Sequence, residues 1–447
     1  MHVLSTRNLV PFLVVAALAL LAGCGRGARS EPTPTPAPVA GPISDEPVVQ
    51  TASPQMPVSP DTLPPAPPAP TPTAPVPMAG TLSLWHSWAG QDGDALAQIL
   101  AGFQDRYPEL ALETLFVGYS RLAQGYASAV SAGGGPDLLL GPNWWLEDLV
   151  AAEVLAPLDE QVPPEVLEGY LPAAVENLRY DGRLYGLPTH VELVALYVNR
   201  RLLGDRPVPA TTEELLAYAR EDPRLGAGLY ANLYHLSWGF AAYGATFFDA
   251  QGRLVLDQGD GAARFLEWLR RAQETPGIFV SPDYGMLIDR FKKGEFAFFV
   301  DGPWSRAELT EALGADLAVA PLPAGPAGPA RPWLSADGVF LNPNISPAQT
   351  ARALALARHV SSAESGSLWA QTSGRIPAQV EADVGADRLV RGFLAQAQQA
   401  LPEPNRPEMV AVYTYAGDMV LKVLGGDASP EQAVVEAVTL IQEETGP

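Results

Sequence analysis

Between Thr81 and Leu140 the chain reads TLSLWHSWAGQDGDALAQILAGFQDRYPELALETLFVGYSRLAQGYASAVSAGGGPDLLL. The apolar runs 81–86, 110–117 and 137–140 have the length and the flanking breaks of buried strands. A helical pattern follows each of the first two runs, and the first pattern places four apolar residues on one face: Leu96, Ile99, Leu100 and Phe103. Because strands that alternate with such helices are typical of parallel α/β layers, we predict an α/β fold.

Length and composition narrow the class of protein. A chain of 447 residues exceeds what one hydrophobic core usually carries, so we expect at least two domains. The net charge of −22 argues against a nucleic-acid binder, which needs a basic face. Cys24 is the single cysteine, which excludes disulfide frameworks and cysteine-based zinc sites. The five histidines include no HxxxH pair, and we expect neither a metal nor a cofactor.

The N-terminal segment has the features of an export signal. Its apolar run Leu9–Leu21 is shorter than the roughly 20 residues that a membrane-spanning helix needs, but it suits a signal peptide. The residues LAGC at 21–24 resemble the bacterial lipoprotein box, in which the cysteine is acylated and becomes the first residue after cleavage. We predict a signal peptide at 1–23 and a lipid anchor at Cys24 on the extracytoplasmic face of the bacterial cell membrane.

A proline-rich segment follows the predicted signal. Residues 31–77 hold 17 of the 45 prolines of the chain, and proline both removes backbone donors and favours polyproline II, so this segment cannot build a packed core. We predict a disordered tether at 24–79 that acts as a semi-rigid spacer. A PxxP ligand for a recognition domain is the alternative.

Aromatic residues are concentrated where predicted strands lead into helices. Trp88, Trp144, Trp145 and Trp304 each follow a strand candidate, and Tyr230, Tyr234 and Trp238 lie in a stretch that we interpret as irregular. Trp268 and Trp369 fall inside helical patterns and are predicted to be core residues. Sugar rings pack their C–H faces on aromatic rings, while their hydroxyls need carboxylates and amides. The candidates for these polar contacts are Glu192, Asp301, Asn143 and Asn232.

An ordered series of short segments resembles one protein family. In chain order the segments are TLSLWHSW (81–88), GPDLLL (135–140), DGRLYGLP (181–188), LYVN (196–199), KGEFAFFVDGPW (293–304), VAPLP (319–323) and PEM (407–409). Together they resemble the maltose/maltodextrin-type extracellular solute-binding proteins of ABC transporters. The resemblance implies a periplasmic-binding-protein-like fold, in which two α/β lobes are joined by crossing segments and enclose the ligand cleft. It places the first lobe at 80–190 and 335–386, and the second at 191–334 and 387–447.

The resemblance also implies a set of ligand-binding residues. Glu192 matches a cleft carboxylate, Trp304 and Tyr234 match stacking aromatics, and Tyr413 stands where the family has a stacking tryptophan. The other predicted ligand-binding residues are Trp88, Asn143, Trp144, Trp145 and Asn232, and the secondary candidates are His86, Ser87, His235 and Asp337. Asn232 stands in place of a glutamate, and residues 89–91 replace a charged pair. These departures argue against maltose itself and leave a neutral oligosaccharide as the expected ligand.

A mechanism and partners follow from the same resemblance. Ligand is expected to bridge the lobes and stabilise their closure, after which the closed form docks on a membrane permease. The sequence has no GxxxxGK[ST] loop, so this chain is not the ATPase. We expect a monomeric receptor whose partners are a small saccharide and ABC permease subunits.

Two other classes of function stay open at this point. A glycoside hydrolase needs two carboxyl groups beside the scissile bond, and Glu192, Asp301 and Asp337 are the candidates. The sequence contains no GxSxG motif, so nothing indicates a serine hydrolase, and we predict no catalytic residue. The same fold with another cargo, such as a glycerol phosphate ester, a polyamine, thiamine or iron, is the second alternative. Arg306 and Arg331 are the basic residues nearest the aromatic loops.

Overall fold

The computed structural model describes residues 77–446, and the predicted signal peptide, Cys24 and nearly all of the predicted tether lie outside them. The strands are β1 (Gly80–His86), β2 (Leu110–Phe116), β3 (Leu138–Pro142), β4 (Arg179–Tyr180), β5 (Arg183–Leu184), β6 (Gly186–Leu193), β7 (Ala195–Asn199), β8 (Ala227–Tyr230), β9 (Phe279–Ser281), β10 (Phe298–Asp301), β11 (Leu317–Ala320), β12 (Trp333–Leu341), β13 (Ile376–Pro377) and β14 (Leu401–Pro402). The helices are α1 (Gly90–Arg106), α2 (Tyr119–Ser131), α3 (Leu146–Ala151), α4 (Pro164–Leu167), α5 (Pro172–Glu176), α6 (Arg200–Leu203), α7 (Thr212–Glu221), α8 (Leu233–Ala242), α9 (Gly261–Gln273), α10 (Tyr284–Lys292), α11 (Arg306–Leu313), α12 (Pro347–Val360), α13 (Ala363–Ser373), α14 (Arg388–Ala397), α15 (Met409–Gly425) and α16 (Pro430–Thr445). Across residues 77–446, no helix is both long enough and apolar enough to cross a membrane.

The first sheet has seven strands in the order β13-β6-β12-β3-β1-β2, with β14 also paired to β12. β1 runs parallel to β2 and β3, as the strand–helix alternation predicts. β12 runs antiparallel to β3 and β6. The first sheet is therefore mixed, because the parallel pairing that the alternation indicates holds for β1, β2 and β3, whereas β12 is antiparallel to β3 and β6. The physical reason is that β12 enters from the second sheet and does not follow a strand–helix crossover, which is what makes neighbouring strands parallel.

The second sheet has five strands in the order β11-β7-β10-β8-β9 and is also mixed. β8 is parallel to β9 and β10, whereas β7 is antiparallel to β10 and β11. Side chains alternate across the sheet, so Tyr197 packs in one core with α10, α11 and α14, and Leu196 packs in another with α8, α9, α15 and α16. The sheet is thus buried on both faces.

Local sequence signals set several helix ends as predicted. The side chains of Thr211, Ser346 and Ser429 each accept a hydrogen bond from the backbone N–H three residues further on, at 3.2–3.3 Å. These caps replace the partners that the first N–H groups of a helix lack. The predicted helix starts of α7, α12 and α16 are confirmed.

The predicted core tryptophans are buried, and one tryptophan of the predicted irregular stretch is buried as well. Trp268 and Trp369 are fully buried, which confirms their core assignment. The irregular stretch expected around Tyr234 and Trp238 is wrong, because these residues belong to the regular helix α8 and Trp238 is also fully buried.

The chain passes directly from the first sheet to the second, since only Val194 separates β6 from β7. The aromatic loops follow the carboxyl ends of β1 and β3 in the first sheet and of β8 and β10 in the second. In open α/β sheets such strand ends are where ligands bind.

Candidate ligand-binding site

Glycine–proline turns end one strand in each sheet and place a tryptophan beside it. Gly141-Pro142 forms the end of β3, and Gly302-Pro303 directly follows β10; both lead into one turn of 3₁₀ helix. A Cβ added to Gly141 would lie 2.3 Å from the Trp145 ring, and one added to Gly302 would lie 2.2 Å from the Trp304 ring. Because glycine has no side chain, each indole ring can fold back over the end of its strand.

Three adjoining cavities lie along these strand ends. The main cavity has a volume of about 810 Å³ and is lined by residues that include Asp92, Glu192, Trp304 and Arg375. The central cavity, of about 280 Å³, shares Asp92, Glu192 and Arg375 with it and adds Ser87, Trp88, Tyr119, Trp144 and Asp337. The end cavity, of about 200 Å³, adjoins the central one at Trp144 and adds Asn143, Glu403 and Tyr413.

A group of three charged side chains lies where the main and central cavities meet. Arg375 donates to Asp92 through Nε at 3.0 Å and Nη2 at 2.7 Å, and to Glu192 Oε1 through Nη1 at 2.6 Å. We call Arg375, Asp92 and Glu192 the charged triad. Each member keeps about a quarter of its side chain exposed, between 23% and 26%. The triad therefore offers charged groups to a ligand while being held by internal bonds.

The pKa shifts of the triad reflect burial opposed by ion pairing. Burial raises the pKa of Glu192, although the charge of Arg375 acts in the opposite direction. For Asp92 burial acts the same way, but the hydrogen bond and charge of Arg375 outweigh it and lower the pKa. Burial acts to lower the pKa of Arg375, and its hydrogen bond to Asp92 and the charges of Glu192 and Asp337 raise it overall. The guanidinium thus stays charged.

Beside the triad, Asp337 and His190 form a buried pair on neighbouring strands. His190 Nε2 lies 2.6 Å from Asp337 Oδ2, but the ring N–H does not point at that oxygen. His190 packs between Trp88, at 5.1 Å between ring centroids, and Trp369, at 5.6 Å. Trp88 is itself mostly buried, with 9% exposed. Trp88 and Asp337 line the central cavity, and His190 packs behind them.

Trp304 presents an exposed aromatic face to the main cavity. Its side chain is 42% exposed and its ring lies 5.5 Å from His235 and 6.1 Å from Tyr234. Behind it, the fully buried Asp301 accepts a hydrogen bond from the Tyr284 hydroxyl at 2.8 Å and contacts His235 Nε2 at 3.2 Å. The Trp304 ring therefore rests on a rigid polar support.

A second exposed aromatic group faces the central cavity. The Trp144 indole N–H donates to the Tyr119 hydroxyl at 2.8 Å, and the Tyr119 ring lies 5.2 Å from Trp145. Tyr119 and Trp144 are about half exposed, at 52% and 49%. Large apolar faces exposed in a concave site are typical of ligand-binding surfaces.

The comparisons with known proteins agree on one family. The model of the family described as bacterial extracellular solute-binding protein matches residues 98–387, which is more than half of the chain. The chain belongs to this family. Of the relatives, the maltotriose-binding protein of Pyrococcus abyssi is 25% identical over 383 residues, which cover 80% of each chain. The maltooligosaccharide ABC transporter solute-binding lipoprotein of Streptococcus pneumoniae serotype 4 is 28% identical over 287 residues, covering 59% of this chain and 66% of its own.

A solved structure confirms the predicted fold of this solute-binding protein. A cyclo/maltodextrin-binding protein in complex with maltotetraose superimposes with a TM-score of 0.74 at 28% identity, covering 82% of this chain and 97% of its own. The predicted family and the two-lobed periplasmic-binding-protein-like fold are thus confirmed.

The predicted site residues of this solute-binding protein divide between those that line the cavities and those that lie behind the lining. Those that line the cavities are Ser87, Trp88, Asn143, Trp144, Glu192, Trp304, Asp337 and Tyr413. Asn232, Tyr234 and His235 lie in a layer behind Trp304, where Asn232 Oδ1 caps α8 by accepting from Tyr234 N at 3.0 Å. Trp145 packs under Tyr119. His86 accepts a hydrogen bond from Trp88 N at 3.3 Å, and burial lowers its pKa.

Sequence reasoning missed four residues of the site: Asp92, Tyr119, Arg375 and Glu403. The sequence does contain a signal for Asp92, because this residue directly follows residues 89–91, which replace a charged pair of the family. Arg375 follows Gly374, whose φ of 72° ends α13, and that glycine is a sequence signal for a turn. Its two carboxylate partners are 283 and 183 residues away, and no local pattern predicts such pairings.

The donor set of this solute-binding protein does not suggest a metal. Within residues 77–446, no group of three or more histidine, cysteine, aspartate or glutamate side chains is arranged to hold a metal ion.

Proposed function

We propose that this chain is the extracytoplasmic receptor of an ABC importer and that it binds a neutral maltooligosaccharide in the three cavities. The observation that carries the proposal is that exposed aromatic faces and charged hydrogen-bonding groups line three adjoining cavities along the strand ends. Trp304 and Trp144 can stack on sugar rings, while Glu192 and Asp92 can accept hydrogen bonds from sugar hydroxyls.

The names of the relatives support this class of ligand. The relatives described above are named for maltotriose, maltooligosaccharide and maltodextrin binding. At 25–28% identity they support the ligand class better than the length of the sugar chain. Because the cleft continues past Trp144 into the end cavity, we favour an oligosaccharide over a monosaccharide.

The proposal includes the predicted lobes and the predicted ligand-binding residues, to which it adds Asp92, Tyr119 and Arg375. Ligand held by the first lobe at 80–190 and 335–386 also contacts Trp304 in the second lobe at 191–334 and 387–447. Such contacts, made in full only when the lobes close, shift the population towards the closed form.

The proposal extends to the location and the assembly of the chain. A lipid anchor at Cys24 is supported by the lipoprotein box in the sequence and by the name of the pneumococcal relative. We propose that the receptor is a monomer, anchored on the extracytoplasmic face, and that its closed form docks on permease subunits.

The geometry argues against the competing functions. Of the three candidate carboxyl groups for hydrolysis, Asp301 is fully buried and held by Tyr284 and His235. Glu192 is bound to Arg375 and Asp337 lies 2.6 Å from His190. A phosphate ester would need cations, yet Arg375 is bound to two carboxylates and Arg306 to Asp387. A polyamine would need carboxylates that are not paired with a cation, and both carboxylates of the triad are already paired with Arg375.

The experiment titrates the full chain with maltose, maltotriose and maltotetraose while tryptophan fluorescence and melting temperature are followed. Ligand at about 100 times its Kd is expected to stabilise the chain by about 2.7 kcal/mol. Cellotriose, which has the same composition and β-linkages, is expected to bind less tightly. Trp304→Ala is expected to weaken binding about tenfold to about a hundredfold, because burying such a ring contributes roughly 1.5–3 kcal/mol.

Leu421→Ala is the matched control. Leu421 is 42% exposed, as Trp304 is, but it lies near the end of α15 and lines none of the three cavities. If no sugar binds and a phosphate ester, a polyamine or ferric iron raises the melting temperature, the saccharide proposal is wrong. Release of shorter sugars during the titration would contradict a purely binding role.

A further inference from the structure

The charged triad joins three separate parts of the first-sheet region. Asp92 is in the first turn of α1, Glu192 is on β6, and Arg375 stands between α13 and β13. The left-handed conformation of Gly374 reverses the chain after α13, so that Arg375 enters the cleft. One guanidinium therefore orients two carboxylates that are distant in sequence.

The bonds of Arg375 leave part of each carboxylate for a ligand. Both oxygens of Asp92 accept a hydrogen bond from Arg375. Because each carboxylate oxygen has two lone pairs, each can still accept one more hydrogen bond. Glu192 uses Oε1 for Arg375, and no group among residues 77–446 donates a hydrogen bond to its Oε2. Glu192 Oε2 is thus the acceptor that the cleft holds ready for a hydrogen-bond donor.

Without Arg375 these carboxylates would be crowded by like charge. Asp337 on β12 adds a third carboxylate, and His190 on β6 is the other group near them that can carry a positive charge, which it does only when protonated. The Tyr234 hydroxyl donates a hydrogen bond to the backbone carbonyl of Glu192 at 3.1 Å, and Tyr119 lines the same cavity as the Glu192 side chain. Buried carboxylates without a cation take up protons or turn away from each other, and in either case they are lost as charged acceptors.

We infer that Arg375 is a positioning residue, which holds Asp92 and Glu192 charged and fixed as a paired acceptor for ligand hydroxyls. The hydroxyl donors rest on the proposed function, whereas the positioning is a property of the chain without ligand. Prearranged acceptors lower the ordering cost of binding, and charged ones make shorter and stronger hydrogen bonds.

The first test compares Arg375→Met and Arg375→Lys with the wild type in the full chain, with maltotriose as the probe. Arg375→Met is expected to weaken binding by about tenfold or more. The maltotriose affinity of Arg375→Lys is expected to lie between those of the wild type and Arg375→Met, because lysine keeps the charge but cannot hold Asp92 with two parallel bonds. Arg271→Met is the matched control: Arg271 pairs with Glu213 at 2.6 Å outside the cleft, and maltotriose binding should not change.

The second test separates positioning from a merely structural role through its pH dependence. Loss of Arg375 is expected to raise the pKa of both Asp92 and Glu192 above their values in the wild type, because the cation that favours their charged forms is removed. The variant therefore binds protons that the wild type does not. The melting temperature of Arg375→Met without ligand is expected to lie further below that of the wild type at about pH 8 than at about pH 5. A difference that is equal at both pH values would overturn the inference, as would wild-type affinity for maltotriose in Arg375→Met.

The two tests keep the proposals distinguishable. If the wild type does not bind maltotriose or the other sugars, the proposed function fails, and the melting curves without ligand still decide whether Arg375 holds the carboxylates. If the wild type binds and the melting-temperature difference does not depend on pH, the positioning role fails alone.

Discussion

Glu403 lies between the two sheets, just after β14, and it shows how burial controls a single carboxyl. Its Oε2 accepts a hydrogen bond from Ser335 at 2.6 Å and its Oε1 accepts one from Tyr413. Burial raises the pKa of Glu403, and these two hydrogen bonds oppose the rise without cancelling it. Because the acidic form is the easier one to bury, the charged form costs stability here.

This shift predicts a pH-dependent effect of Glu403→Gln. A pKa that is higher in the folded state contributes stability below the unfolded-state pKa and loses it as the pH rises through the folded-state pKa. The melting temperature of Glu403→Gln relative to the wild type is therefore expected to increase between about pH 4 and about pH 8. Thermal melts of the full chain across this range provide the measurement.

Tyr413→Phe is the companion variant, because it removes one hydrogen bond that lowers the pKa of Glu403. Without this bond the pKa of Glu403 rises further, so the charged form costs more stability. The drop in melting temperature of Tyr413→Phe relative to the wild type is therefore expected to be larger at about pH 8 than at about pH 4. A constant difference between Glu403→Gln and wild type would show that Glu403 titrates as it does in the unfolded chain.

At the residue scale, the sequence predicted which types of side chain form the site better than it predicted which of them reach the cavities. Residue type and the family resemblance selected Glu192, Trp304 and Asp337, and all three line the cavities. Asp301 was selected by residue type as well, yet it is fully buried behind Trp304. The difference is one of side-chain direction, because successive residues of a strand point to opposite faces and the sequence did not fix which face was which.

The glycine–proline turns are the elements that convert strand ends into binding surface. Each lies at the end of a buried strand, and each lets a tryptophan ring lie where a Cβ would otherwise be. At Gly302 the backbone φ is −102°, which alanine also adopts readily. A substitution there therefore tests the space for the Trp304 ring and not the backbone conformation.

Gly302→Ala is predicted to displace Trp304 and to weaken maltotriose binding about tenfold or more, because the stacking face moves. Isothermal titration of the full chain gives the affinity, and the melting temperature reports on the fold. Gly417→Ala is the matched control, since nothing lies within 4 Å of its added Cβ. In helix α15 that change should stabilise by about 0.5–1 kcal/mol. Wild-type affinity in Gly302→Ala would contradict this role of the turn.

Elements with one apolar face were predictable, and those without one were not. The helices α1 and α2 and their strands follow the apolar pattern of 81–140 closely. Helix α8 was missed because eight of its ten residues are buried, so its sequence shows no polar face against which a helical period could be recognised.

At the scale of the whole molecule, the antiparallel strands were beyond local sequence patterns. β6 and β12 pair across about 150 residues, with Glu192 opposite Ser335, and a period of two in each strand says nothing about its partner. The family resemblance supplied the two-lobed arrangement that periodicity could not. Its lobe boundaries stay predictions.

Lobe closure is the prediction that belongs to the whole molecule. Exposed positions on the two predicted lobes, Gln124 on α2 and Glu311 on α11, can carry spin labels after substitution by cysteine. Cys24→Ser removes the single native cysteine. Maltotetraose is expected to shorten the distance between the labels, because the sugar gains contacts with the charged triad and with Trp304 together only when the lobes approach.

The same pair of labels in a Trp304→Ala chain should report a smaller closed population at equal sugar concentration, since the ligand can shift the equilibrium only by its difference in affinity for the two forms. An unchanged distance in the presence of bound sugar would mean that binding uses a cleft already closed, and lobe closure would then not be part of recognition.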